Sequence, residues 1–117
     1  MGHILIIEDD PTIRDVVQYA LTSAGHAVRT MPDGPSGIAS AKADPPALVI
    51  LDFKMPIMDG GEVLRVLKNF QPDLPVFFFT VLGDFADRSA LSEADACFVK
   101  SSDLTPLIDA VSRAVAA

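Results

Sequence analysis

Apolar positions along this chain fall into two kinds of pattern. Four runs are short and unbroken: residues 4–7 (ILII), 48–51 (LVIL), 76–79 (VFFF) and 97–99 (CFV). Runs this short, rich in branched and aromatic residues, predict strands buried on both faces, as in parallel sheets covered by helices. Between them the apolar residues recur every three or four positions. Ile13, Val16, Val17, Ala20 and Leu21 make one helical stripe; Asp10 suits the N-cap and Pro11 the first helical position, and Gly25 ends the segment. Residues 26–30 predict a short strand, and residues 33–42 a weak helix interrupted by Gly37, before a break at Pro45-Pro46. Asp59-Gly60-Gly61 opens a helix carrying Val63, Leu64 and Leu67. Residues 84–93 predict a helix with little apolar face beyond Phe85, Ala86 and Leu91. The last helix has the cleanest stripe, at Leu104, Leu107, Ile108, Val111 and Val115. The order is strand then helix, five times over, which right-handed crossovers wind into a doubly wound α/β sheet.

The unbroken runs stop at residues of complementary chemistry. The first ends at Glu8-Asp9, the second at Asp52, the third at Thr80 and the fourth at Lys100. Parallel strands bring their carboxyl ends to one edge, and the ligand crevice of such sheets lies outside that edge. Three carboxylates, a hydroxyl and an ammonium are therefore expected to converge from distant parts of the chain.

Composition narrows the function classes. At 117 residues, half of them apolar, the chain is expected to be one domain with a real core. Its net charge of −7 and lack of any Lys/Arg cluster argue against nucleic-acid or anionic membrane surfaces. No run approaches the roughly 20 apolar residues needed to span a bilayer. The first strand starts within four residues of Met1, which leaves no room for a signal peptide, so a cytoplasmic location is expected. A single cysteine, Cys97, forms no internal disulfide, in keeping with a reducing compartment. His3 and His26 have no ligand spacing with each other or with Cys97, so no transition-metal site is expected.

Taken together, Ile-Ile-Glu8-Asp9-Asp10-Pro11, Leu51-Asp52-Phe-Lys-Met-Pro56-Ile-Met-Asp59-Gly60, Phe79-Thr80 and Phe98-Val99-Lys100 resemble the receiver domain of bacterial two-component response regulators, over the whole chain. The resemblance implies a flavodoxin-like five-stranded sheet in the order 2-1-3-4-5 and a single receiver domain over residues 1–117. Asp52 would be the phosphoacceptor, taking a phosphoryl group from a sensor histidine kinase or a histidine phosphotransfer protein. Mg2+ would be held by Asp9, Asp52 and the backbone carbonyl of Lys54, with Glu8 acting mainly through a bound water. Lys100 and Thr80 would each meet a phosphoryl oxygen. The domain would be a signalling switch or phosphate relay rather than an enzyme, although it would assist its own phosphorylation and dephosphorylation. It would meet no nucleic acid or membrane, and the surface formed by the 84–93 helix, the fifth strand and the last helix would serve partners or a homodimer. Asp10 and Asp59 are better read as helix caps than as ligands.

Three departures from the family pattern accompany these matches. Cys97 stands where an aromatic switch residue is usual, and Phe98 has the wrong strand parity to replace it. Val81 follows Thr80 where a small residue is common. Ser101 replaces the proline after the lysine, which predicts a trans Lys100–Ser101 peptide, with Ser102 or Asp103 capping the last helix. A pseudo-receiver that binds proteins without phosphate is the competing reading, favoured by Cys97 and Ser101 and opposed by Glu8, Asp9, Asp52, Thr80 and Lys100. A haloacid-dehalogenase-type phosphatase would need a second Asp two residues after its nucleophile. Lys54 occupies that position.

Overall fold

Strand residues of alternating parity feed two separate cores, one on each face of the sheet, which explains why the strand sequences are apolar at every position. A computed structural model describes residues 2–81 and 92–116. Its strands are β1 (Ile4–Ile7), β2 (Val28–Met31), β3 (Leu48–Leu51), β4 (Val76–Thr80) and β5 (Ala96–Val99). They form one parallel sheet in the order β2-β1-β3-β4-β5, as expected. The helices are α1 (Pro11–Ser23), α2 (Gly34–Ala43), α3 (Gly60–Phe70) and, after β5, α4 (Thr105–Val115). The helix expected over residues 84–93 lies outside the described residues except for Ser92 and Glu93, which are helical.

On one face Leu5, Ile7, Val49, Leu51, Val76 and Phe78 pack with Ala41 of α2 and Val63, Leu64 and Leu67 of α3. On the other, Ile4, Ile6, Leu48, Ile50, Phe77 and Phe79 pack with Val17 and Leu21 of α1 and Leu107 and Val111 of α4. Each fully buried Leu, Ile, Val or Phe contributes about 1.5–3 kcal/mol. The central strands therefore carry most of the fold's hydrophobic stabilisation, and they hold the carboxyl edge in register.

Several boundaries depart from expectation for local reasons. β2 begins at Val28 rather than at residue 26 because the Gly25 and His26 N–H groups bond back to the Thr22 and Leu21 carbonyls, closing α1. The His26 ring instead meets Ser112 Oγ at 3.0 Å. α2 runs through Gly37 without interruption, and a Cβ there would collide with the Ile7 side chain. Glycine is thus what lets this helix lie close on β1. α2 starts at Gly34 because Asp33 is its cap and accepts from Ser36 N at 2.8 Å. Asp10 caps α1, accepting from Thr12 N at 2.9 Å, and Asp59 forms a reciprocal capping box with Glu62 at the start of α3, both as expected. Asp103 accepts from Thr105 N at 3.0 Å, although the formal N-cap of α4 is Leu104. The Lys100–Ser101 peptide is trans. Among the described residues, no helix is long and apolar enough to cross a membrane.

Candidate functional site

The terminal hydrogen bonds of the sheet position the polar residues that follow it. Asp52 N donates to Ile7 O at 3.0 Å, Lys100 N to Thr80 O at 2.8 Å and Glu8 N to Met31 O at 3.1 Å. Because Ile7 pairs with Leu51, Glu8 and Asp52 leave neighbouring strands side by side. Glu8 and Asp52 are buried at 3 and 5 % exposure, whereas Asp9 is exposed. One carboxylate oxygen from each of the three lies within 4.8 Å of the others.

Lys100 closes this cluster. Its Nζ lies 2.8 Å from Glu8 Oε1 and 3.1 Å from Asp52 Oδ2. Two buried carboxylates therefore share one ammonium, with the exposed Asp9 at their side. Burial raises the Glu8 pKa from 4.5 to about 7, Lys100 and the Asp10 N–H pull it back, and the Asp52 charge adds to the rise. Burial likewise raises the pKa of Asp52, against the pull of Lys100. Burial works against the Lys100 charge, but its two carboxylate partners outweigh that and lift its pKa above 10.5. The lysine is fully charged at neutral pH, and Glu8 is poised to give up or take a proton.

Thr80 sits at the same edge on β4. Its side chain is fully buried and Oγ1 has no hydrogen-bond partner among the described residues. An unpaired buried hydroxyl costs about 1–3 kcal/mol, so its presence beside a charged crevice fits a donor held ready for an incoming oxygen.

The loop over residues 53–59 frames the crevice. Gly60 N donates to Phe53 O at 2.6 Å, and a Cβ at Gly60 would stand 2.7 Å from both Asp52 O and Phe53 Cα. Only glycine permits this approach of α3 to the backbone of Asp52. In the same loop Ile57 holds φ at 75° while 78 % exposed, a conformation that β-branched residues rarely adopt. Lys54 lies in this loop with an exposed side chain. Cys97 and Val99 occupy the exposed face of edge strand β5, while Phe98 turns inward against Phe77, with ring centroids 5.7 Å apart.

The structure thus brings together Glu8, Asp9, Asp52 and Lys100, and sets Thr80 on the same edge. The resemblance has Glu8 acting through water; here it also bonds Lys100 directly. Sequence reasoning passed over Arg14, whose Nη1 donates to the Glu8 carbonyl at 3.0 Å. A detectable signal was its place early in α1, where the helix dipole disfavours a cation.

An all-oxygen donor set of three carboxylates suits a hard divalent cation such as Mg2+. The paired lysine and the unpartnered hydroxyl suit an anion brought to that cation. Comparison with known proteins gives the same picture. Residues 4–112 match the response regulator receiver domain. The transcriptional regulatory protein CseB of Streptomyces coelicolor is 39% identical over 94 residues, covering 80% of this chain and 40% of CseB. The chain thus spans about two fifths of such a relative. Response regulator TrrA of Thermotoga maritima, solved in complex with Mg(2+)-BeF, superposes with a TM-score of 0.92 at 26% identity, covering 98% of this chain and 100% of TrrA. TrrA has also been solved in complex with histidine kinase ThkA; that TrrA chain gives a TM-score of 0.90 at 26% identity, with 98% of this chain and 99% of that one covered.

Proposed function

Because this chain belongs to the response regulator receiver domain family, we propose that it is a phosphorylatable signalling domain whose phosphoacceptor is Asp52. The observation that carries this reading is the shared lysine: Lys100 bridges Asp52 and Glu8 at the edge where the Thr80 hydroxyl lies buried and unpartnered. Asp52 Oδ attacks the phosphorus of a phosphohistidine on a sensor histidine kinase or histidine phosphotransfer protein. The phosphorus–nitrogen bond breaks, the imidazole departs with a proton, and an acyl phosphate forms on Asp52. Two anions must meet in this step, and neutralising charge is what makes it feasible. Lys100 turns from Glu8 to a phosphoryl oxygen, and Thr80 donates its hydroxyl to another. Glu8, Asp9, Asp52 and the Lys54 carbonyl would hold Mg2+, which when bound offsets the charge of the transferring group.

In this reading the protein is a switch or relay and not a metabolic catalyst, works in the cytoplasm and meets no nucleic acid through this domain. Residues 1–117 form the single receiver unit, and any transcriptional output of the kind named for CseB would lie elsewhere. The exposed Cys97 and Val99 of β5, with α4, offer the surface for a partner or a second copy. Intact-mass spectrometry with Mg2+ and a small phosphodonor tests the proposal. One phosphoryl group should add to the wild type and none to Asp52→Asn. Labelling that persists in the variant would move the acceptor elsewhere. A wild type that stays unlabelled would favour a phosphate-independent binding module.

A further inference from the structure

One cation beside the crevice has no part in the steps above. Arg14 lies one turn into α1, yet its side chain turns back towards β1 and donates to the Glu8 carbonyl at 3.0 Å. Helix stability does not explain a cation there, since the positive end of the dipole opposes it. The rest of Glu8 is also held. Its N–H reaches Met31 O, Oε2 accepts from Asp10 N at 3.1 Å, and Oε1 meets Lys100. A peptide unit is planar, so fixing the Glu8 carbonyl also fixes the Asp9 N–H and the direction in which Asp9 leaves the strand.

We propose that Arg14 is a positioning residue for divalent-cation binding: it locks the Glu8–Asp9 peptide so that the exposed Asp9 carboxylate stays in reach of Glu8 and Asp52. This rests on the reading that those carboxylates bind a divalent cation. Asp9 needs the help most of the three, because Glu8 and Asp52 are held by burial and by Lys100 while Asp9 is exposed. The sign of the effect separates positioning from charge. A guanidinium on the Glu8 side repels an incoming cation, so if Arg14 acted only through its charge, removing it would tighten Mg2+ binding. If it positions Asp9, removal loosens binding.

Calorimetric titration of Mg2+ into wild type, Arg14→Ala and Arg14→Lys decides the matter, with urea midpoints measured in parallel. Arg14→Ala should bind Mg2+ about tenfold more weakly, within the range for groups that orient metal ligands. Arg14→Lys, which can still donate to the carbonyl, should recover part of that loss. Unchanged or tighter binding in Arg14→Ala would overturn the proposal, as would equal losses in both variants. Should Arg14→Ala prove unfolded, the Arg14→Lys and Arg14→Met pair carries the same comparison, since Met keeps the length but cannot donate, with the same ordering required. A wild type that binds no Mg2+ would sink the underlying reading and this inference with it, whereas equal affinities across folded variants would sink this inference alone.

Discussion

Replacing Asp52 by Asn should stabilise the metal-free protein, and the gain should grow as pH rises. In the wild type, Glu8 and Asp52 share one ammonium inside the sheet edge, so at alkaline pH one negative charge there goes uncompensated. Burial lifts the Glu8 pKa from 4.5 to about 7. A group whose pKa is higher folded than unfolded favours the fold while it is protonated. The Glu8 contribution is therefore complete below about pH 4.5, falls away as pH climbs to about 7, and is flat beyond. At about 1.36 kcal/mol per pKa unit, this cost has a ceiling of about 3 kcal/mol. Water at the exposed Asp9 side of the crevice screens it to about 1–2 kcal/mol.

The Asp52→Asn substitution would remove the repulsion and leave Lys100 wholly to Glu8. Lys100 titrates above 10.5 and does not change across this window. Asp33 and Asp103, whose pKa values are lowered by backbone N–H bonds from Ser36 and Thr105, lend stability that is lost in acid, but equally in both proteins. Urea unfolding of wild type and Asp52→Asn without divalent ions, from pH 5 to 8, isolates the crevice as the difference between the two curves. That difference should move in favour of the variant across the range, by only a share of that about 1–2 kcal/mol, because burial, which the variant keeps, outweighs the Asp52 charge in raising Glu8. A constant difference, or one that shifts towards the wild type, would refute the idea that the two buried acids compete for one lysine.

Further outcomes follow from the same geometry. Lys100→Ala leaves two buried carboxylates without their shared ammonium and should cost about 3 kcal/mol at pH 7.5, opposite in sign to Asp52→Asn, as read from urea midpoints. Thr80→Val keeps the shape while removing an unpartnered hydroxyl, so it should raise stability by about 1 kcal/mol while slowing phosphoryl uptake from a small donor. An unfolding midpoint below wild type would show that Thr80 has a structural partner. Ile57→Gly relieves a left-handed β-branched residue, worth about 1–2 kcal/mol, against a glycine entropy cost of about 0.5–1 kcal/mol. The net effect should be a small gain in thermal midpoint, and a clear loss would mean that the exposed isoleucine makes contacts that matter.

How far the sequence could be read depended on whether an interaction is periodic. Strands buried on both faces announce themselves as unbroken apolar runs, so β1, β3 and β4 were legible almost to the residue. Helical stripes were legible too, though the stripe of α1 is wider than the face it buries: Val17 and Leu21 are buried while Val16 is 52 % exposed. Convergence of Glu8, Asp9, Asp52, Thr80 and Lys100 followed from parallel topology and from the family's motifs. Non-periodic contacts were not legible. The strand pattern places the start of β2 two residues early because backbone groups of Gly25 and His26 return to α1. Gly37 reads as a helix breaker until its contact with Ile7 is known. Arg14 reaches its partner through a single long side chain; its unfavourable place near the start of α1 hints at a partner, but no spacing rule names Glu8.

The site residues are spread from Glu8 just after the first strand to Lys100 just after the last, and the strands that carry them are joined by parallel pairing of separated segments. Such pairings have high contact order and form late and cooperatively. In the proposed reading no contiguous stretch of the chain contains a working acceptor, because Asp52 meets Lys100 only once β4 and β5 have docked. Competence to carry a phosphoryl group would thereby be tied to completion of folding. A chain still being synthesised, or one partly opened, would have the aspartate but not the electrostatic setting that the proposal requires of an acceptor, and so would send no signal.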